Sequence, residues 1–239
     1  MLTRAQKKYI RSLQQKKFRN QFGRFVAEGP KVVEELRESA LQIEDVFGLE
    51  EYSGKGHTLV SGKDLEMISG LKTPNEVLAV AHIPEAPEVR WEAPLILALD
   101  GVRDPGNLGT ILRLGEWFGL RQIILSTDCA EPWNPKVVQS AMGSLFRLGV
   151  VQTELGDLLG EGRSRGFQVL GADMHGTSIH ALEKPEKMIL VMGSESWGLR
   201  PDVKAQLSQT ITIPKNGHAP IDSLNVATAT GILLSHLSV

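Results

Sequence analysis

Ile213-Pro214-Lys215-Asn216-Gly217, then a polar stretch, then Ser223-Leu224-Asn225-Val226-Ala227-Thr228-Ala229-Thr230-Gly231-Ile232-Leu233-Leu234, is the part of the chain around which the rest is organised. The apolar alternation of Ile211 and Ile213 stops at Pro214, which has no N–H to give to a sheet ladder. Ser223 stands where an N-cap belongs, ahead of a helix built from small and apolar residues. Small residues let a neighbouring backbone or a ligand come close. A strand end, a loop and a helix start in succession make the kind of edge where α/β proteins bind ligands.

Upstream, short apolar runs recur at 95–99, 122–126, 168–171 and 188–192, with a last one at 210–213. Between them lie helical patterns at 108–118, 135–145, 154–165 and 201–207. Continuous apolar strands alternating with helices predict a mostly parallel sheet covered on both faces, so 95–239 reads as one α/β domain. Residues 83–94 hold Pro84, Pro87 and Pro94 among charges and read as a linker. Residues 1–82 read as a smaller α/β unit. Its helices are predicted at 5–15, 30–39 and 63–68, and its strands near 22–26, 43–47, 58–60 and 77–81.

With 41% hydrophobic and 23% charged residues in 239, the chain has the composition of an ordinary soluble domain protein. Cys129 alone allows neither a disulfide framework nor a thiolate metal cluster. The first residues lack the apolar centre of a signal peptide, and no apolar run approaches membrane length, so a cytoplasmic location is expected. The net charge of −2 hides an asymmetry: Arg4, Lys7, Lys8, Arg11, Lys16, Lys17, Arg19 and Arg24 all precede the first acidic residue, Glu28. Such a basic arm is the footprint of phosphate contact, although a solvated helix face has the same composition. Phe22 and Phe25 beside these charges suit either base stacking or core packing.

Several familiar signatures fail. The run Gly56 to Lys63-Asp64 has a glycine spacing one residue too long for a P-loop, and Asp64 occupies the place of its metal-binding hydroxyl. Gly160, Gly162 and Gly166 follow a helical pattern rather than a strand, which excludes a dinucleotide fingerprint. Asp173, His175 and His180 match no common metal spacing. What remains is three loops at strand ends. The first, Asp100-Gly101-Val102-Arg103-Asp104-Pro105-Gly106-Asn107-Leu108-Gly109, opens a helix with Asn107 as a good N-cap and Arg113 in its second turn. The second, Gly193-Ser194-Glu195-Ser196-Trp197-Gly198, follows the strand at 188–192, and the third is the stretch from Ile213 to Asn225. Taken singly, Arg113 paired with Asp104 and a tight turn at Gly193 would be structural features; three loops at one sheet edge make a site.

Together these loops resemble the SpoU (TrmH-like) family of the SPOUT superfamily, S-adenosylmethionine-dependent RNA ribose 2′-O-methyltransferases. The resemblance is carried by Asn107, Gly109 and Arg113; by Gly193, Glu195 and Gly198; and by Ile213, Pro214, Ser223, Leu224 and Asn225. Asn134-Pro135-Lys136-Val137-Val138 and Gly143 with Phe146-Arg147-Leu148 also look like the family. The N-terminal part is similar to the small RNA-binding domain that many members carry. Two departures are visible: Gln139-Ser140-Ala141 where the family usually has Arg-Ala-Ser, and a longer stretch between Gly217 and Ser223.

The resemblance implies a parallel sheet with a C-terminal trefoil knot, a homodimer, S-adenosylmethionine as cofactor and no metal. It also implies a structured RNA substrate, with ribosomal RNA favoured over transfer RNA. It assigns Asn107, Arg113, Glu195, Ser223 and Asn225 to catalysis and Gly193, Ile213 and Leu224 to cofactor binding. Lys7, Lys8, Arg11, Lys16, Lys17, Arg19 and Arg24 are the candidate RNA contacts. Arginine does not deprotonate, so Arg113 is expected to clamp a phosphate and steady a forming alkoxide. The competing readings are an RNA binder without activity on the same scaffold, and a methyltransferase acting on a base nitrogen.

Overall fold

The computed structural model describes residues 2–215, 217 and 223–238; the predicted long loop between Gly217 and Ser223 lies outside them. In chain order the elements are α1 (Arg4–Ser12), α2 (Lys16–Phe22), β1 (Arg24–Glu28), α3 (Pro30–Arg37), β2 (Ile43–Gly48), β3 (Thr58–Leu59), α4 (Gly62–Ile68) and β4 (Val77–His82). They continue with β5 (Leu95–Leu99), α5 (Pro105–Trp117), β6 (Gln122–Ser126), α6 (Pro135–Ala141), β7 (Gly149–Thr153), α7 (Leu155–Ser164) and β8 (Gln168–Ser178). Last come β9 (Met188–Met192), α8 (Pro201–Lys204), β10 (Gln209–Thr212) and α9 (Val226–Leu237). The chain gathers into two compact units, Met1–Glu85 with Glu131–Arg147, and Ala86–Ala130 with Leu148–Val239.

In the first unit the helix expected over 5–15 ends early, and a second helix, α2, that the sequence reading does not place follows it. Thr3 and Gln6 form a capping box at the start of α1, which ends at Ser12, and α2 begins again after Gln15. Phe22, expected to open a strand, closes α2 instead, because Gly23 takes the left-handed conformation (φ 63°) that ends a helix. The sheet order is β1-β4-β2-β3, antiparallel except for β2 with β3. Its core joins Ile10 and Leu13 of α1 and its end to Val26, Phe47, Leu65, Ile68, Leu78 and Val80. The segment 131–147, which a linear reading leaves inside 95–239, clusters here: the Phe25 ring lies 4.6 Å from Trp133 and 5.9 Å from Phe146.

In the second unit six strands pair in parallel in the order β10-β8-β9-β5-β6-β7. β5, β6 and β9 are buried along their whole length, as continuous apolar runs require. Ile96, Ala98, Ile124, Val169, Ile189 and Val191 form one core with Leu155 and Leu159 of α7 and Val203 of α8. Each large side chain removed from water there contributes roughly 1.5–3 kcal/mol. β8 extends to Ser178, well past the expected 171, because it pairs β9 as far as Gly171 and β10 from Leu170 to Ser178, across an irregularity at Thr210/Ile211. Since all six strands are parallel, the loops after β5, β6, β9 and β10 leave from the same edge.

Candidate active site

The loop after β5 sets the geometry. Asp104, rather than the expected Asn107, is the N-cap of α5, accepting the Asn107 N–H at 2.8 Å, with Pro105 at the first helical position. Capping by Asp104 frees the Asn107 side chain, and it joins all three loops. Its Nδ2 donates to Glu195 Oε1, and its Oδ1 accepts from Asn225 Nδ2 at 2.9 Å. Asn225, not Ser223, caps α9, taking the N–H groups of Ala227 at 3.0 Å and Thr228 at 3.2 Å on its Oδ1. Ser223 is exposed and, among the described residues, makes no hydrogen bond. The expected role for its hydroxyl as a cap is therefore corrected, because Asn225 already satisfies the first turn.

Arg113 lies on α5 six residues beyond Asn107, about 9 Å along the axis at ~1.5 Å per residue. Its side chain is exposed and has no ion pair or hydrogen bond among the described residues; Asp104, the plain structural partner, is used as a cap. Along the neighbouring groove Thr110 and Leu114 of α5 face Thr228 and Ile232 of α9 across an open cleft of about 550 Å³. Trp117 at the end of α5 is 83% exposed and Ile232 38%, an apolar stripe on this helix pair that no described residue covers.

Gly193 is fixed by its own loop. A Cβ there would stand 2.5 Å from the carbonyl carbon of Gly198, because Ser194 and Gly198 exchange backbone hydrogen bonds of 3.1 and 2.9 Å. Gly198 itself sits at φ 65°, and the turn leaves Trp197 82% exposed and Glu195 facing outward. Ile213 is half-buried just after β10, and Leu224 is exposed.

Beneath the loops is a charged clamp that the sequence does not announce. The buried Asp100 carboxylate, at the end of β5, accepts the Arg200 backbone N–H at 2.7 Å and its Nε at 2.6 Å. Arg200 follows directly on Gly198-Leu199, so this pair ties the Glu195 loop to the Asn107 loop. Arg200 Nη1 also approaches Asp128 Oδ1 at 3.9 Å, and Asp128 accepts from Ser126 at 2.7 Å and Arg103 at 2.9 Å. Partial burial pushes the Asp128 carboxyl up, but the Ser126 and Arg103 hydrogen bonds and the nearby Arg200 charge outweigh it and hold it below the usual range. Burial lowers the Arg200 guanidinium, yet the Asp100 hydrogen bond and charge more than reverse that, so it stays firmly cationic. Burial pushes the Cys129 thiol up, which leaves it a neutral packing group rather than a nucleophile. The only signals of this clamp in the sequence are an Asp closing an apolar run and an Arg closing a loop.

The candidate RNA contacts divide. Arg19 is corrected: it is 1% exposed, donates to Leu13 O at 2.8 Å, and is paired with Glu131. A buried guanidinium needs such partners and has nothing left for a phosphate. Lys7 holds Asp64 at 2.5 Å, Arg11 bonds the Ser69 carbonyl, and Arg24 pairs with Glu44. Lys8, Lys16 and Lys17 are exposed and make no ion pair among the described residues.

The model of the SpoU rRNA Methylase family matches residues 94–235, and that of the MRM3-like substrate binding domain matches residues 5–79. The chain is 30% identical over 235 residues to the 23S rRNA (guanosine(2553)-2′-O)-methyltransferase RlmP of Bacillus subtilis, covering 95% of this chain and 93% of that protein. Its structure is similar to a putative RNA methyltransferase of the TrmH family from Porphyromonas gingivalis, with 39% identity, a TM-score of 0.89, and 99% and 98% of the two chains covered. It is also similar to an AdoMet-bound rRNA methyltransferase from Sinorhizobium meliloti, with 30% identity, a TM-score of 0.86, and 99% and 95% covered.

Proposed function

The chain belongs to the SpoU rRNA methylase family, and we propose that it transfers the methyl group of S-adenosylmethionine to a ribose 2′-hydroxyl of ribosomal RNA. The observation that carries this reading is the meeting of three motif loops through Asn107, with Glu195 on one side and Asn225 on the other. An RNA binder without activity has no use for that arrangement beside an exposed Arg113 that has no partner among the described residues.

The cofactor supplies an electrophilic methyl on a sulfonium, so no metal is required of the protein. The residues at the sheet edge fit such a group in donor chemistry: half-buried Ile213 and exposed Leu224 offer apolar surface, and the backbone beyond Met192 and Thr212 offers amides. The protein's task is to hold the 2′-hydroxyl in line and to favour its alkoxide. Arg113 clamps the phosphate next to the target ribose and stabilises charge forming on the 2′-oxygen. Asn107, held between Glu195 and Asn225, orients the ribose, and the exposed Ser223 hydroxyl meets substrate or cofactor from the loop before α9. Lys8, Lys16 and Lys17 contact RNA phosphates from the first unit.

The stripe of Leu114, Trp117 and Ile232 on α5 and α9 favours a homodimer formed through this face, which brings Arg113 beside a partner's loops. The C-terminal segment forms a trefoil knot that holds Ile213 and Leu224 at the cofactor. Among the described residues no helix is long and apolar enough to cross a membrane, and a ribosomal substrate places the work in the cytoplasm. The test is methyl transfer from labelled cofactor to ribosomal RNA by the wild type and by Arg113→Ala. The variant should bind cofactor normally in calorimetry and transfer nothing; near-normal turnover would remove Arg113 from the mechanism.

A further inference from the structure

Three aromatic rings of the first unit form a strip on α1 and α2, with Tyr9 also packing against the unit's core. The Tyr9 ring of α1 meets the Phe22 ring of α2 edge-on, with centroids 5.2 Å apart at 81°. Phe18 and Phe22, one turn apart, lie almost parallel at 6.2 Å and 13°. Phe22 is 38% exposed, whereas Phe25, three residues on, is fully buried against Trp133 and Phe146. Phe22 lies outside the core made by Ile10, Leu13, Val26 and Leu78, packing on Tyr9 and Phe18 while leaving part of its ring in water.

The surroundings are cationic. Lys17 Nζ lies 5.8 Å from the Phe18 ring centroid, and Lys8 and Lys16 are exposed close by in sequence. These are the same lysines that lack an ion pair among the described residues, while Lys7 and Arg11 are held by intramolecular partners. The carboxylate at the strip, Glu44, is already engaged: Tyr9 Oη donates to its Oε1 at 3.0 Å, and Arg24 takes its Oε2. Arg24 also donates to Phe22 O at 2.9 Å, which fixes the end of the strip. Burial and the Glu44 contact push the Tyr9 phenol up to about 12, so its ring adds no negative charge.

We propose that Tyr9, Phe18 and Phe22, rimmed by Lys8, Lys16 and Lys17, form a stacking platform for an unpaired nucleotide of the RNA substrate. Base faces are hidden inside a duplex, so only a bulged, looped or single-stranded base offers a face to Phe22, while its phosphates meet the lysines. The platform rests on the reading of the chain as an RNA methyltransferase, and it names the substrate feature that the first unit recognises.

The test uses the full chain with two probes, a fluorescein-labelled hexauridylate and a blunt RNA duplex of equal phosphate number. Wild type should bind the hexauridylate more tightly than the duplex. Phe22→Ala should weaken hexauridylate binding about tenfold, while Phe22→Trp keeps it. Lys16→Ala with Lys17→Ala should flatten the salt dependence by up to about 1.4 in slope, at ~0.7 for each phosphate no longer neutralised. A hexamer carrying 5-iodouridine, irradiated and mapped by mass spectrometry, should crosslink to Tyr9 or Phe22. Equal affinity of Phe22→Ala and wild type, or crosslinks that avoid α1 and α2, would overturn the platform. Methyl transfer to ribosomal RNA measured alongside separates the two ideas: the platform predicts a raised KM and unchanged kcat for Phe22→Ala, whereas absence of transfer by wild type counts against the enzymatic reading and leaves the binding arms to decide the platform.

Discussion

Removing Arg200 should harm this protein more than neutralising its partner Asp100, although the two share one interaction. The Asp100 side chain is 0% exposed and the Arg200 side chain 33%. In Arg200→Ala the carboxylate stays buried with only the backbone N–H of position 200, now 2.7 Å away, as donor from this partner. Breaking a buried pair on one side costs about 3–5 kcal/mol, and partial hydration of the arginine argues for the low end, ~3 kcal/mol. In Asp100→Asn the amide oxygen still accepts that N–H, and the guanidinium turns to water and to Asp128 at 3.9 Å. The loss is then one charge-assisted hydrogen bond, ~1.5 kcal/mol. At ~2–4 °C per kcal/mol for a chain of this size, Arg200→Ala should melt roughly 6–12 °C below wild type and Asp100→Asn roughly 3–6 °C below. Scanning calorimetry resolves both shifts, with the transition of the second unit followed separately if the two units melt apart. Because the pair ties the Glu195 loop to the Asn107 loop, kcat should fall with cofactor affinity less affected. A shift of under about 2 °C for Arg200→Ala, or a larger one for Asp100→Asn, would refute this ranking.

Gly193→Ala puts a methyl 2.5 Å from the Gly198 carbonyl carbon, so it should cost about 1–3 kcal/mol in thermal unfolding and displace Glu195, lowering transfer; a variant of wild-type stability and activity would contradict the crowded turn. Trp117→Glu places a charge on the α5–α9 stripe and should shift sedimentation from dimer to monomer; an unchanged dimer moves the interface elsewhere. The two tyrosines of the chain, Tyr9 and Tyr52, are both raised, chiefly by burial and then by Glu44 and Glu34, Tyr9 to about 12. A raised folded pKa stabilises the fold below the unfolded value of ~10 and loses that contribution as pH climbs toward about 12. Phenolate absorbance should therefore stay low near pH 10 and rise together with alkaline unfolding; half-ionisation near pH 10 in the folded chain would be the contrary result.

The strands of the second unit are legible because β5 and β9 are apolar from end to end and β6 has an apolar centre, Ile123-Ile124-Leu125, a pattern that a sheet covered on both faces demands. β7 and the second half of β8 are not, since exposed or half-buried residues such as Gln152 and Asp173 to Ser178 dilute the apolar signal. The caps at Asp104 and Asn225 fall instead to Asn107 and Ser223 in the sequence, because Asp, Asn and Ser compete on nearly equal terms. The chain's choice depends on Pro105 and on which amide the tertiary site uses. Arg19 joins the RNA contacts because charge composition cannot distinguish a solvated arginine from one buried against Glu131, more than a hundred positions on. The same blindness to distance hides Asp100 and Arg200. The motif residues themselves are readable by type and spacing, and the meeting of Glu195 and Asn225 at Asn107 is what folding adds.

The reaction is tested at its root by incubating the protein with labelled S-adenosylmethionine and ribosomal RNA lacking its own modifications, and then mapping the label by resistance to alkaline hydrolysis and by nucleoside mass spectrometry. A 2′-O-methyl blocks cleavage at a single bond, and one such site is expected, lost in Arg113→Ala. Label on a base nitrogen, or no transfer to any ribosomal RNA, would contradict ribose methylation by this chain.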